Sequence, residues 1–384
     1  MRIAHLADLH LGYRAYHRTT PRGINVREDD VAHAFRHAVA QVVELRPDLV
    51  LVAGDVFHTV RPSNTAIAEA FRQFSVLTER LPGVPVAMIA GNHDSPRSAD
   101  TGNILSLFRE IEGVHVVHEE SRPLRLPGLE ATVLCLPHCA LAGEQPVAME
   151  PDAAARLNLL MLHGDITGGG AEEKLRYVTE YGGASVDQSR IRPERWDYVA
   201  LGHYHLLREL APNMWYPGGL ERTSTNIWIE EDDKGFLLYD TDARTAEFHA
   251  VETRAIVDLP WIRSEGLTAA ELDARIQASV ESIDEGVRGK LVRMVVLDVP
   301  RALARDLNHR RIREWKADAL HFHLDLRPPE VRRRSGSGAP ARRQTLREQV
   351  ESWLRHHWTP SGPEIDRERL VGMGVDYIDR TAEG

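Results

Sequence analysis

Seven residues of the kinds that bind transition metals close short apolar runs in the first 205 positions of the chain. Asp8 and His10 follow from "RIAHLAD" (2–8), Asp55 ends "DLVLVAGD" (48–55) and Asn92 ends "VPVAMIAGN" (84–92). His163 lies in "LNLLMLHGD" (157–165), and His203 and His205 come with "YVALGH" (198–203). The set mixes carboxylate, amide and imidazole without thiolate. That suits Mn(II), Fe(II) or Zn(II) better than Mg(II) or Ca(II), which favour all-oxygen shells. Seven ligands are too many for one catalytic ion that must keep a position open. They fit two ions about 3.5–4 Å apart, bridged by a shared carboxylate and a water-derived hydroxide. The chemistry of such a pair is hydrolysis by metal-activated water.

Taken singly, these signals are weak. A lone Asp-x-His at a strand end, or a lone Gly-Asp turn, is commonplace, and His33, His37 and His118 read as ordinary solvated or core histidines. The ordered series carries the weight: Asp-x-His, Gly-Asp, Gly-Asn-His-Asp, His, then Gly-His-x-His, each closing a predicted strand.

The elements that must position these residues follow from the apolar pattern. The runs at 2–8, 48–55, 84–92, 131–138, 157–165 and 198–203 are of strand length, rich in Val, Ile and Leu, and nearly continuous. Such runs indicate strands buried on both faces, as in an α/β sheet. Helical patterns lie between them, at Asp30 to about Leu45, at about Asn64 to Leu81 with Ser63 as N-cap, and at Thr101 to Ile111 ahead of Gly113. The alternation predicts an α/β domain with the ligands at the C-terminal strand edge, where such sheets bind their ligands. Residues two apart in an extended segment face one side, so Asp8 with His10, and His203 with His205, are each expected to grip one site. Glycine before Asp55, Asn92 and His203 permits close backbone approach.

Beyond about residue 255 the pattern changes to a compact α+β unit. It has a helix over 267–283, a strand over 290–299, a helix over 301–319 and an alternating strand over 320–327. The organisation expected is 1–255, 256–327, a basic flexible linker at 328–344, and a helical tail at 345–384 with helices at 345–358 and 365–381.

Bulk composition narrows the class. An apolar fraction of 42% with 27% charged residues is that of an ordinary globular protein, and the net charge of −10 argues against a binder that coats nucleic acid with its whole surface. It leaves room for an enzyme acting on phosphates, because bound ions supply local positive charge. Two cysteines, Cys135 and Cys139, exclude a disulfide framework and read as reduced thiols. The start "MRIAHLADLHL" has no signal-peptide pattern and no segment is apolar enough to span a membrane, so a cytoplasmic protein is expected.

The ordered motifs resemble the calcineurin-like metallophosphoesterase superfamily. More narrowly, "HLADLHLGYRAY", "GDVFHTVRPS", "GNHDSPRSA", "YVALGHYH" and "YPGGLERTS" are similar to the SbcD / Mre-eleven group of DNA-repair nucleases, strongly over 1–255 and more weakly over the second unit. The resemblance implies a two-sheet sandwich flanked by helices, with 256–327 as a capping domain. It implies one metal on Asp8, His10, Asp55 and His205, with Asp55 bridging, and a second completed by Asn92, His163 and His203. His93 would be the general acid or charge stabiliser, and His58 would help to position it. Manganese-dependent cleavage of DNA, exonucleolytic and endonucleolytic, is implied as the activity. An ATPase of the SbcC / Rad-fifty type is implied as partner, docked on the C-terminal helices, where Leu346, Val350, Trp353 and Leu354 make an apolar stripe. Relatives of the group are dimers through helices near the start of the catalytic domain. Two alternatives share the motifs: a phosphoesterase for a small nucleotide or phosphomonoester, and a non-catalytic scaffold at DNA ends. A protein phosphatase fits less well, because its Asp-Arg-Gly element is replaced here by "GDVFHTV".

Overall fold

The computed structural model describes residues 1–96, 102–143, 147–170, 183–329, 346–356, 368–369 and 371–373. Two six-stranded sheets dominate residues 1–328. The first sheet holds β1 (Arg2–Leu6), β2 (Leu49–Ala53), β3 (Val86–Ile89), β4 (Val114–Val117), β13 (Gly235–Asp240) and β14 (Thr245–Ala250), in the order β14-β13-β1-β2-β3-β4. β1 to β4 run parallel, and β13 and β14 extend the sheet antiparallel. The second sheet holds β5 (Arg122–Leu126), β6 (Ala131–Leu136), β7 (Leu157–His163), β10 (Tyr198–Gly202), β11 (Arg208–Ala211) and β12 (Met214–Tyr216), in the order β11-β12-β10-β7-β6-β5. Its four central strands are parallel, with antiparallel strands at both edges. A short ribbon, β8 (Asp165–Thr167) with β9 (Ser185–Asp187), stands beside it.

Alternation of side chains along these strands builds the layers. Ile3, Leu49, Leu51, Ala87 and Ile89 of the first sheet pack against Val133, Leu159, Met161, Tyr198 and Ala200 of the second, giving the core between the sheets. The opposite face of the first sheet, through Ala4, Leu6, Val50, Val52 and Met88, is covered by α1 (Val26–Leu45) and α2 (Asn64–Arg80). Each helix buries one apolar stripe, Val31, Phe35, Val39 and Val42 on α1 and Ala66, Ala70, Phe74 and Leu77 on α2. Ser63 caps α2, its side chain accepting from the Ala66 amide at 3.1 Å. The two-sheet sandwich flanked by helices is therefore the architecture of this part of the chain.

A third, all-parallel sheet belongs to the same compact unit. Its central β17 (Leu291–Leu297) pairs with β15 (Ile256–Asp258) and β16 (Ile262–Arg263) on one side and β18 (His321–Leu326) on the other. Val292, Met294, Val296 and Phe322 pack on α3 (Ala269–Glu281) and α4 (His309–Asp318), giving this part its own core. The segment 329–384 forms a separate unit, of which α5 (Leu346–His356) is described. The expected linker beyond Pro329, the Leu346 side chain and most of the helix expected over 365–381 lie outside the described residues; 368–369 and 371–373 are helical. No helix among the described residues is long and apolar enough to cross a membrane.

Three local expectations need correction. The helix expected over Thr101–Ile111 is a 3-10 segment, Ile104–Glu110, begun by the Asn103 side chain on the Leu105 amide. The helix expected over 301–319 is broken, because Asn308 caps α4 and is itself held by Asp273. Asp8 and His10 are not extended. Their φ angles are +53° and +46°, and those of Asp55 and His203 are +51° and +116°. Left-handed backbone at non-glycine residues is strained and collects at functional sites.

Candidate metal centre

Every ligand predicted from the strand-end pattern arrives at one place, the adjoining C-terminal ends of β1, β2, β3, β7 and β10. Backbone pairing locks the loops there: the Asp8 amide donates to the Gly54 carbonyl at 3.1 Å and the His10 amide to the Asp55 carbonyl at 3.0 Å. The strand ends meet so closely, between the sheets and within the first, that glycine is required at the contacts. A Cβ on Gly202 would fall 1.9 Å from the Ala53 carbonyl oxygen, and one on Gly91 would fall 2.0 Å from Asp55 Oδ1.

The carboxylates are aimed by main-chain donors. The His203 amide lies 3.1 Å from each oxygen of Asp8. The His93 amide donates to Asp55 Oδ1 at 2.8 Å, which leaves Asp55 Oδ2 buried with no hydrogen-bond partner among the described residues. That oxygen stands 3.3 Å from His163 Nε2 and 3.8 Å from His10 Nε2, between two groups of donors.

The imidazoles divide accordingly. His10 Nε2 and His205 Nε2 approach to 2.9 Å beside Asp8. Two ring nitrogens sharing one ion at about 2.1 Å, at right angles, would stand about 3 Å apart. On the other side, His163 Nε2 and His203 Nδ1 converge on Asn92 Oδ1 at 3.0 and 3.1 Å. His163 Nδ1 donates to the Ala53 carbonyl at 2.8 Å, so Nε2 presents its lone pair inward. Backbone support of this kind sets the tautomer of metal-binding histidines. His203 and His205 therefore face different halves of the site, and not one shared half as their spacing alone suggested.

Burial makes this arrangement costly without cations. Asp8, His10, Asp55, His163, His203 and His205 are all at most 1% exposed. Burial pushes the Asp8 carboxyl up, against the pull of His163 and His205. Burial also works to raise Asp55, but the His163 charge beside it, with His10 and His93, holds it well below the usual carboxylate range. His163 is opposed by burial yet carried up to about 10 by Asp55 and Asp8. Divalent cations would offset the cost of burying these carboxylates and imidazoles together, and would compete with protons for them. The orphaned Asp55 oxygen, the converging ring nitrogens and the mixed donor set all fit two divalent ions, with Asp55 between them.

His93 and His58 stand at the rim, both half-buried. His93 Nδ1 donates to the His58 carbonyl at 2.8 Å, and the two rings stack with centroids 5.1 Å apart. His93 also sets its edge against His10, at 4.9 Å. The motif carried a further member to which no role was given. Asp94 accepts from the amides of Val56, Phe57 and Gly91 at 2.9–3.1 Å and ties the second and third ligand loops together. Burial and the neighbouring Asp55 push its carboxyl up to about 7. Lys234, 1% exposed and paired with Glu230, donates to the His205 carbonyl at 2.6 Å, and the Thr223 hydroxyl lies 3.4 Å from His205 Nδ1. Lys234 had no sequence signal, because it reaches the ligand loop only through tertiary contact, whereas Thr223 lies in the motif "YPGGLERTS", where no single residue was given a role. Cys135 and Cys139 are free thiols.

A fold of two parallel-centred sheets with such a centre at their common edge defines a class, the metal-dependent phosphoesterases. The family model for calcineurin-like phosphoesterases matches residues 1–213, more than half of the chain, and the chain belongs to that family. Curated relatives carry the description DNA double-strand break repair protein Mre11. One from Methanococcus maripaludis is 35% identical over 113 residues, 29% of this chain and 28% of the relative. One from Methanocaldococcus jannaschii is 26% identical over 266 residues, 66% of each chain. One from Methanopyrus kandleri is 27% identical over 325 residues, 78% of this chain and 65% of the relative. The matches span less than two-thirds of the length of each of these relatives.

Proposed function

We propose that this chain is a two-metal phosphodiesterase that cuts DNA, exonucleolytically and endonucleolytically, in double-strand-break repair in the cytoplasm. The observation that carries the reading is the position of Asp55 Oδ2, aimed between His10 and His163 with its partner oxygen held by the His93 amide. Asp8, His10, Asp55 and His205 hold one ion, and Asp55, Asn92, His163 and His203 the other, with manganese as the preferred metal. When bound, the ions neutralise the phosphoryl oxygens and lower the pKa of water so that it attacks at neutral pH. The His93 imidazole, anchored through Nδ1 on the His58 carbonyl, turns Nε2 to the departing sugar oxygen and gives it a proton. His58 holds that ring by stacking.

The resemblance to repair proteins also supports partners. Residues 256–327 serve as a cap over DNA. A second copy of the chain packs on the outer face of α2, where Ile67 and Phe71 lie beside Leu107, itself 38% exposed. An SbcC-like ATPase docks on α5, whose Trp353 is 52% exposed.

The test is cleavage of labelled single- and double-stranded DNA by the purified chain, with and without manganese, beside a chromogenic phosphodiester. Manganese-dependent DNA cleavage is expected. Turnover of the small diester with no DNA cleavage, even with an added ATPase partner, overturns the nuclease reading in favour of a small-substrate phosphoesterase.

A further inference from the structure

The second half of the centre has a supporting carboxylate that the ligand pattern does not include. His203 Nδ1 points inward at Asn92 Oδ1, and the opposite nitrogen, Nε2, lies 3.1 Å from Asp165 Oδ1. Both atoms of that second contact are buried, and neither has another hydrogen-bond partner among the described residues. They stand within hydrogen-bond reach of each other.

The surroundings leave His203 no other way to turn. Its amide is engaged by both oxygens of Asp8, and its φ of +116° is one that side chains rarely adopt. The Gly183 backbone covers the Nε2 edge so closely that a Cβ there would come within 2.5 Å of that nitrogen. Asp165 is itself anchored. Its amide donates to the Ala184 carbonyl at 2.8 Å, and its strand β8 pairs with β9. The Tyr204 ring sets its edge against His203 at 5.5 Å beside the same carboxylate, and Tyr216 closes the turn by donating to the Gly164 carbonyl at 2.7 Å. Tyr204 and Tyr216 pack edge to face at 4.9 Å, so the support is a built cluster rather than a surface contact.

We infer that Asp165, steadied by Tyr204, is a positioning residue that accepts the Nε2 proton of His203 and so presents Nδ1 to the second metal ion. The inference rests on the two-ion reading of the centre. It makes His203 differ from His163, which presents Nε2 and keeps its proton on Nδ1 for the Ala53 carbonyl. Each ring is thus held in the opposite tautomer by a partner on its outer nitrogen, a carboxylate in one case and a carbonyl in the other. A carboxylate in that position raises the basicity of the ligating nitrogen more than a carbonyl does, and loss of such a partner typically weakens metal affinity about 10–100-fold.

The test titrates metal-stripped Asp165→Ala, Asp165→Asn and His203→Ala proteins with manganese by calorimetry, after circular dichroism has established their folds. Wild-type protein is expected to take two ions. Asp165→Ala should hold the first ion as wild type does and the second about 10–100-fold more weakly. Asp165→Asn, whose side-chain oxygen still accepts from Nε2–H, should recover most of that loss. In wild-type protein loaded with zinc, nitrogen-15 spectra should show His203 protonated at Nε2 and metal-shifted at Nδ1, a signature that no merely structural role produces. Two ions bound with wild-type affinity by Asp165→Ala, loss of both ions together, or a metal-shifted Nε2 each overturn the proposal. His203→Ala, which lacks the ligand itself, should lose the second ion, and a single ion bound by wild-type protein would instead defeat the two-ion reading on which the proposal stands.

Discussion

His10 Nε2 and His205 Nε2 face each other across 2.9 Å, one carried by the loop after β1 and the other by the loop after β10. The contact therefore joins the two sheets at their C-terminal ends. Two buried imidazoles so close, beside the carboxylates of Asp8 and Asp55, need a proton or a cation between them. A metal ion placed there ties one sheet to the other. Binding to the folded state alone adds about 2.7 kcal/mol for each site at a hundredfold excess over its dissociation constant. Manganese or zinc should accordingly raise the melting temperature, and a chelator should lower it. His10→Ala and His205→Ala should each reduce the stoichiometry from two ions to one. Elemental analysis of two ions in either variant would place the first ion elsewhere.

His93 touches the centre differently. It offers its backbone amide to Asp55 and hangs its ring on the His58 carbonyl, and its ring nitrogens gather at the rim with those of His10 and His58, outside the groups that Asp8 forms with His10 and His205 and with Asp55 and His163. His93→Gln should therefore keep both ions and lose about 10²–10⁴ in rate, the usual size of a proton-transfer contribution. The amide contact with Asp55 is main chain and survives the substitution. Rate and metal content measured on one preparation decide the matter, and loss of an ion together with activity would make His93 a ligand instead.

Much of the centre was legible because strand ends in a parallel sheet deliver their next residues to one edge, so spacing along the chain translates into position in space. The same logic located the layers, since β2 is buried at every residue and reads as a continuous apolar run. The backbone conformation was not legible. Asp8 and His10 share a site through left-handed turns, a conformation no residue pattern announces for Asp and His. Strands such as β14, whose "TAEFHA" has no fully buried residue, and the two-residue β16 carry too little apolar periodicity to be seen. Supporting residues escape for a further reason. Lys234 acts on His205 across 29 positions, and Asp94 contacts Val56 and Phe57 across a similar gap, so only tertiary structure pairs them.

Asp8 illustrates the conflict between binding and stability. Burial raises its carboxyl in the folded chain above the unfolded value, so the folded state holds that proton more tightly. Such a group favours folding at low pH, and the advantage disappears as pH rises through the folded value. Without metal, ionised Asp8 near Asp55 is a burden at neutral pH. Asp8→Asn keeps an acceptor for the His203 amide and removes the charge. The variant should melt higher than wild type in a chelator at pH 8, yet gain less than wild type from manganese, since only the second ion remains to bind. A lower melting temperature in the chelator would show that the carboxylate stabilises the metal-free fold.

His5 provides a pH effect away from the ligands. It is fully buried in β1, between the sheets, with Nδ1 2.8 Å from the Tyr198 hydroxyl. Burial lowers its pKa to about 3, against a hydrogen bond with the Leu201 backbone. The unfolded chain takes up that proton near pH 6.5 and the folded chain does not. Stability contributed by neutral His5 is thus complete above pH 6.5 and is lost as pH falls toward 3. At pH 5 the penalty is about 2 kcal/mol, from 1.5 units at about 1.36 kcal/mol each. His5→Phe cannot take up a proton. It should be less stable than wild type at pH 7.5, where the Tyr198 hydroxyl loses its partner, but should lose about 2 kcal/mol less on acidification to pH 5. Urea unfolding of both proteins in a chelator at the two pH values measures the difference, and the other titrating groups cancel between them. Equal losses in the two proteins would mean that His5 does not titrate on unfolding.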